Sequence, residues 1–414
     1  MQIIADLHLH SKYSRSCSQQ LTLENIDQWC QYKGINLVGT ADFTHPQWFK
    51  EIKNKLVEAE PGLYKLKDAD SPTRFILSTE ISCIYTQGGK CRRVHICLLL
   101  PKISSVEKLI ENFQQRGFNI KADGRPIIGL SAKELARIVL EIDDKALVIP
   151  AHAWTPWFAV FGSKSGFDSL AECFEELTPN IFAIETGLSS DPPMNWRLSV
   201  LDKITLISNS DAHSLNNLGR EANVFEIEEN KLSYNEVYRI IKERDKNKFL
   251  YTIEFFPEEG KYHIDGHTSC NYSSWPAETK KNKNICPICG KPLVLGVTNR
   301  VDQLADREEI KGLKMIPYRN LIPLQEIIAE SYGVGKNSKK VINEYLFLVK
   351  KRSEFEILLD LDEAELNSLT REDVVASILK VRKGEVEIQP GYDGVYGKVK
   401  ISGKIKQKKQ VKMF

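Results

Sequence analysis

The sequence predicts an α/β protein, and three changes of pattern along the chain carry that expectation. Over residues 1–250 short apolar runs alternate with amphipathic segments. Over 251–307 the chain carries Cys and His, is rich in Asn, Lys, Ser and Pro, and lacks long apolar runs. Over 308–414 helical patterns dominate and end in a lysine-rich tail. At 414 residues the chain is longer than one average domain, so these three stretches are expected to be its domains.

In the first stretch Ile3–Leu9, Leu37–Thr40, Phe75–Thr79, Val94–Leu100, Ala146–Pro150, Phe182–Glu185 and Thr205–Ser208 read as buried strands. Leu23–Lys33, Ser105–Arg116 and Ser131–Ile142 read as the helices between them. Such βα alternation builds a parallel sheet or barrel. Seven strands over this length favour the barrel. The middle stretch has too few apolar residues for an ordinary core, so a metal staple is expected there. In the last stretch Leu321–Ser331, Lys339–Val349 and Leu361–Val381 are the expected helices, followed by a turn and hairpin over Gly391–Gly397. The tail Lys398–Lys412 holds seven lysines and no acid.

Composition excludes several function classes. Hydrophobic residues make up 42% and charged residues 27%, ordinary values for a globular chain with a real core. Fifty-seven basic against fifty-five acidic residues leave a net charge of +2, which announces no polyanion partner but leaves room for a local basic face. No run approaches the length of a membrane span, and Met1–Asp6 has no basic leader, so a cytoplasmic protein is expected. Nine scattered cysteines are not a disulfide framework. Cys17, Cys30, Cys83, Cys91, Cys97 and Cys173 lie in or near apolar segments and are expected to be small buried hydrophobes.

The chemistry gathers at strand ends. His8 and His10 alternate along a strand and therefore point to one side, as a chelate requires. Asp42, His45, Glu80, His95, His152, Asp211 and His213 follow at or just past other strands. Six of the eight histidines thus fall in this stretch, and their shared position predicts one active site. Mixed imidazole and carboxylate ligation suits Zn²⁺, Mn²⁺ or Fe²⁺. His8, His10, Asp42, Glu80, His95, His152, Asp211 and His213 are the expected ligands, with Glu80 able to bridge two metals. Asp211, Glu80 and His152 are expected to carry catalysis. Two metals about 3.5–4 Å apart are a common device for phosphoester hydrolysis by activated water.

Cys286-Pro287-Ile288-Cys289-Gly290 has the form of a zinc knuckle. Upstream, His267 and Cys270 complete a Cys₃His set, with His263 competing for the histidine position. No thioredoxin-like βα context surrounds the CxxC, so one structural Zn²⁺ is expected.

On these motifs residues 1–250 resemble the polymerase-and-histidinol-phosphatase (PHP) family of metal-dependent phosphoesterases. The segments Gly39–Pro46, Pro150–Trp157, Glu185–Asp191 and Ser208–His213, with the His267/Cys270/Cys286/Cys289 module and Arg300-Val301, extend the resemblance over nearly the whole chain to the endonuclease Q family. That resemblance implies a distorted (β/α)₇ barrel, a zinc module and a helical C-terminal part. It also implies a DNA repair nuclease, cytoplasmic and nucleoid-associated, acting on double- or single-stranded DNA. Such an enzyme nicks 5′ of uracil, hypoxanthine, xanthine and abasic sites, using two or three divalent metals drawn from Zn²⁺, Mg²⁺ and Mn²⁺. Two positions depart from the PHP pattern and bear on a third metal: Ser16-Cys17 stands where many members carry a ligand, and Phe43 follows Asp42 with His45 displaced.

An enzyme that inspects a base in a duplex must extrude it. Ser189 and Asn209 are expected as donors to the carbonyl of a deaminated base, Trp154 and Trp157 as stacking surfaces. The lysine tail suits phosphate contacts or plain solvation. Two other readings compete: a phosphatase for a small phosphomonoester, disfavoured by about 160 further residues, and a non-catalytic DNA-binding scaffold, disfavoured by the retained ligand set.

Overall fold

The computed structural model describes residues 1–308, 310 and 314–401, so positions 402–414 of the lysine tail lie outside the described residues. In chain order the strands of the first stretch are β1 (Gln2–Asp6), β2 (Leu37–Gly39), β3 (Leu56–Glu60), β4 (Leu63–Leu66), β5 (Arg74–Gln87) and β6 (Lys90–Leu100). They continue with β7 (Ile127–Ile128), β8 (Leu147–Pro150), β9 (Ala183–Glu185), β10 (Thr205–Ile207), β11 (Ala222–Glu226) and β12 (Phe249–Glu254). β13 (Asp265–His267), β14 (Tyr272–Ser274), β15 (Tyr318–Asn320), β16 (Glu387–Gln389) and β17 (Lys398–Lys400) follow.

All seven expected strands are present, but the sheet is mixed rather than parallel. β1, β2 and β5 pair in parallel, whereas β5–β6, β6–β8, β1–β11 and β11–β12 are antiparallel. The cause at β5–β6 is local. Gln87 pairs with Lys90 across Gly88 and Gly89, whose φ values of 60° and 72° suit a two-residue hairpin turn. Both faces of the sheet are buried. Ile76, Leu99, Ile149 and Ile207 enter one apolar cluster, while Phe75, Leu98, Val148 and Leu206 enter another. Among the named cysteines Cys91 is exposed, at the hairpin end of β6, and Cys17 is half-buried.

β9 and β10 pair with each other in parallel and are absent from the ladder of the main sheet. The side chain of Asn223, on β11, spans the gap. Its Nδ2 donates to Ser208 O at 2.8 Å and Ala5 O at 3.2 Å, and its Oδ1 accepts from Ser208 N at 3.0 Å. One amide thereby holds the end of β10 beside β1.

Under this seam lies Glu254, buried, accepting hydrogen bonds from Ser208 Oγ, Thr252 Oγ1 and Thr186 Oγ1. Burial pushes its carboxyl from 4.5 up to about 8. The folded state then holds a proton that the unfolded state has released, so stability falls as pH rises from about 4.5 toward 8. Glu254→Gln, which keeps the protonated shape, is expected to flatten that fall. Thermal melts from pH 5 to 9 check it; a parallel decline in both proteins would refute it.

The later helices are Leu324–Tyr332, Lys339–Val349, Glu363–Leu369 and Glu372–Arg382. The expected single helix over Leu361–Val381 is broken in two at Thr370, after a capping box formed by Asp362 and Glu365 has set its start. Pro323 precedes Leu324 at the N-cap and delays the helix expected from Leu321. β16 and β17 flank the Gly391–Gly397 turn as an antiparallel pair, as expected. A buried ion pair, Lys33 Nζ to Glu354 at 2.7 Å, joins this helical part to the helix Leu23–Lys33. Tyr345 and the Leu324 amide also donate to Glu354, so the buried carboxylate is satisfied. No helix among the described residues is long and apolar enough to cross a membrane.

Candidate functional site

Backbone bonds just past β1 and β10 bring two chemically loaded segments side by side. Asp211 N donates to His8 O at 2.9 Å, and His10 N to Ala212 O at 3.0 Å. Asp6 secures the arrangement from below by accepting from the Ser210 and Gly219 amides. Asp42, His152 and Asp211 have left-handed backbones, with φ of 39°, 30° and 46°. Strain of this kind, about 1–3 kcal/mol per residue, is characteristic of sites whose side chains must be aimed.

The aimed groups converge on Glu80, at the middle of β5. Glu80 Oε2 lies 3.3 Å from His10 Nε2 and 3.7 Å from His8 Nε2. Asp211 Oδ1 lies 3.1 Å and 3.8 Å from the same two nitrogens. On the other side Glu80 Oε1 lies 2.7 Å from His95 Nδ1 and 3.1 Å from His152 Nε2. Two donor sets, His8/His10/Asp211 and Glu80/His95/His152, therefore share one carboxylate between them. His8 Nε2 is buried without a hydrogen-bond partner. Convergent imidazoles and carboxylates around such an orphaned nitrogen fit divalent metal ions.

Desolvation opposes charge throughout the cluster, yet the pairing overrides it. Hydrogen bonds from its ring to Asp211, Asp42 and Glu80 hold the His10 imidazole well above its usual range. Asp211 is held well below the usual carboxylate range by His10 and His8 despite its burial. His95 goes the other way, down to about 4, because burial outweighs Glu80 there.

The sequence-predicted residues do not all join the two donor sets. Asp42 is occupied: its Oδ1 faces His10 Nδ1 at 3.2 Å, while its Oδ2 accepts from Ser11 N, Ser11 Oγ and Ser14 Oγ at 2.6–2.8 Å. In this arrangement it orients His10. His213 turns Nδ1 to the carbonyl of Asp211 at 2.9 Å and packs its ring against His10. His45 is buried and stacked on Tyr13, with ring centroids 4.4 Å apart.

Glu185, read from sequence as a strand end and the start of the Glu185–Asp191 segment but given no role, accepts from His8 Nδ1 at 3.0 Å, the His152 amide at 2.8 Å and Asn209 Nδ2 at 2.9 Å. It fixes the His8 ring as Asp42 fixes His10. Arg125, also missed, donates from Nη1 to Glu80 Oε2 at 3.1 Å. An acidic residue closing an apolar strand was the available signal for Glu185; nothing local marked Arg125.

Two expected base-contacting residues are buried. Asn209 has Oδ1 accepting from Leu7 N and Asn223 Nδ2 and gives one of its two Nδ2 hydrogens to Glu185. Trp154 is buried against Phe161 and donates Nε1 to Asn195 at 2.7 Å. Trp157, 42% exposed, and Ser189 instead line a cavity of about 290 Å³ together with Thr155, Tyr262 and His263. Thr155 Oγ1 lies 3.2 Å from His152 Nδ1, which places this cavity beside the metal-ligating cluster. Burial draws the His263 imidazole down to about 4, and its buried Nδ1 has no partner.

The Cys/His module closes on itself. His267 ends β13, Cys270 lies on the turn after it, and Cys286 and Cys289 sit on a knuckle where Gly290 N bonds Cys286 O at 2.9 Å. Gly290 has φ of 72°, a conformation that favours glycine. His267 Nδ1 is 3.1 Å from Cys270 Sγ and 3.4 Å from Cys289 Sγ, and all four side chains converge. Desolvation opposes it, but the Ile288 and Cys289 amides draw the Cys286 thiol down to about 7, toward the thiolate a metal needs. His263 stands outside this set, against Trp275.

Residues 323–385 match the family model described as the MJ0043 C-terminal domain. The Bacillus subtilis (strain 168) protein YqxK is 29% identical over 416 residues, covering 96% of this chain and 99% of YqxK. The crystal structure of the lesion-specific endonuclease PfuEndoQ from Pyrococcus furiosus superposes with a TM-score of 0.85 at 32% identity, covering 97% of this chain and 95% of that one. An Endonuclease Q in complex with a 27-mer duplex bearing an abasic lesion at its active site gives a TM-score of 0.84 at 33% identity, covering 98% and 99%.

Proposed function

The chain belongs to the endonuclease Q family, and from that premise we propose that it is a metal-dependent DNA repair endonuclease that nicks on the 5′ side of deaminated bases and abasic sites. The observation that carries the reading is Glu80 between two donor sets. Residues 1–250 are then a distorted (β/α)₇ barrel whose seam is closed through Asn223. Residues 251–307 are a module folded around one structural Zn²⁺, and 308–414 a mostly helical domain.

Two divalent cations, when bound there, would supply charge neutralisation on the phosphoryl oxygens and a lowered pKa of water. His8, His10 and Asp211 are assigned to one cation, His95 and His152 to the other, with Glu80 between them. Glu185 and Asp42 fix the two leading imidazoles, so the ligands enter the reaction already oriented.

The cavity beside His152 is assigned to the extruded base. Trp157 and Tyr262 offer aromatic faces, and Ser189 and His263 offer hydrogen-bonding groups. A deaminated base presents a carbonyl where the normal base presents an amino group. A neutral His263 can donate to that carbonyl, and an amino group there leaves donor facing donor at a cost of about 1–3 kcal/mol.

The test is a nicking assay on labelled duplexes carrying one uracil, hypoxanthine, xanthine, abasic site or no lesion, with and without a chelator. Metal-dependent cutting 5′ of the lesions and none of the intact duplex is expected; cleavage of all duplexes alike would refute the reading. Within that assay His263→Ala is expected to slow cutting at uracil by about 5- to 150-fold relative to an abasic site, the range for one unpaired contact. Asn209→Ala should lower both rates together, because it acts through Glu185 and Leu7. Equal losses from His263→Ala on both substrates would remove His263 from base reading.

A further inference from the structure

We propose that Arg125 is a catalytic residue that grips the non-bridging oxygens of the scissile phosphodiester, using Glu80 as its anchor. The inference rests on the phosphodiesterase reading above and adds to it a residue outside both donor sets.

The loop that carries Arg125 is built to press against the metal-ligating cluster. A Cβ on Gly124 would meet Asp42 Oδ2 at 2.3 Å and Ser14 Oγ at 2.4 Å, so only glycine permits this approach. Gly124 N donates to Tyr13 O at 3.1 Å. Asp123 Oδ1 accepts from the Arg125 amide at 3.1 Å and the Arg15 amide at 3.3 Å. On the far side Pro126 O accepts from Ser82 N at 3.0 Å, fastening the loop to β5 two residues beyond Glu80. Three bonds to neighbouring segments and one within the loop thus fix the backbone over 123–126, where the one long cationic side chain is Arg125.

The side chain spends little of its hydrogen-bonding capacity on the protein. Nη1 donates to Glu80 Oε2 at 3.1 Å, and no further hydrogen bond from the guanidinium occurs among the described residues. The side chain is 26% exposed. Guanidinium carries five N–H donors in a planar fork. A tether for Glu80 needs one of them, and Glu80 already has His10, His95 and His152 within 3.3 Å. The remaining donors open beside the carboxylate oxygen that faces His8 and His10. That is where a phosphodiester bridging the two donor sets presents its non-bridging oxygens. As water's oxygen bonds to phosphorus and the P–O bond to the leaving strand breaks, negative charge grows on those oxygens. A fixed cation there stabilises the transition state more than the ground state.

The experiment compares wild type, Arg125→Ala and Arg125→Lys as full chains. It reads single-turnover nicking of an abasic duplex, hydrolysis of bis(p-nitrophenyl) phosphate, bound metal and melting temperature. Arg125→Ala is expected to lose about 100- to 1000-fold on the duplex with metal content retained. Arg125→Lys should recover only part of that, because an ammonium lacks the fork. Added guanidinium should raise the alanine variant's rate by at least about tenfold and leave wild type unchanged. An alanine variant within about threefold of wild type, a factor worth well under 1.4 kcal/mol, overturns the proposal. So does a loss of activity that tracks lost metal and resists guanidinium, since that marks Arg125 as a support for Glu80. If wild type cuts no lesion duplex yet hydrolyses the small diester in an Arg125-dependent way, the lesion reading fails and Arg125 stands. If wild type hydrolyses neither, both fall.

Discussion

Glu80→Ala is expected to lower nicking by at least about 100-fold, while duplex binding persists and bound metal falls. The effect should be among the largest of any single substitution because Glu80 serves both donor sets at once. Its removal also leaves the Arg125 guanidinium without its only hydrogen-bond partner among the described residues and sets three imidazoles around an uncompensated space. Asp211→Asn removes one negative ligand from one set and keeps the shape, so it should lose activity similarly but retain more metal. Metal analysis beside a nicking time course separates the two. Wild-type rates in Glu80→Ala would overturn the two-metal reading.

The paired change Cys286→Ser with Cys289→Ser is expected to release one zinc per chain and expose residues 260–307 to protease. Around the knuckle itself there is little apolar packing. Ile288 and Trp275 are exposed, at 64% and 52%, and the β13–β14 pair spans only three residues a side. Structural zinc in small modules contributes about 10–16 kcal/mol of apparent binding free energy, which is folding free energy there. Loss of the module should also open one wall of the cavity beside His152, since Tyr262 and His263 sit at its base. Uracil duplexes should suffer most. Full zinc content with unchanged protease resistance would refute the assignment.

How much of this was legible in the sequence depends on whether the determinant was local. The strands were legible because their apolar runs are continuous, as expected for strands buried on both faces. Their direction was not: a Gly88-Gly89 hairpin reverses β6, and run spacing carries no direction. β11 and β12 escaped notice although they cover the outer edge of β1. The convergence of His8, His10, Glu80 and Asp211 was legible because ligand chemistry restricts residue type and strand ends restrict position. The roles of Glu185 and Arg125 were not, because they exist only through contacts between segments at least 24 residues apart. Asn209 and Trp154 share one ambiguity. A polar or aromatic residue beside a candidate ligand looks the same in sequence whether it faces a substrate or supports the ligand's neighbour. Burial and bonds to Glu185 and Asn195 are what the structure adds, and neither is written locally.

The Asn223 seam bears on how this protein can change over generations. Where strands meet through their backbones, almost any side chain can be exchanged and the ladder reforms. Where they meet through one amide, heredity has no such slack. Asparagine offers a donor and an acceptor at the same short reach. Aspartate lacks the donor, and glutamine is a methylene too long for contacts of 2.8–3.2 Å. The end of β10 at Ser208 therefore leans on one side chain, while the Asp211 segment beyond it is held by Asp6 and by backbone bonds to His8 and His10. Exchange at position 223 should be tolerated far less than exchange at the ladder positions around it.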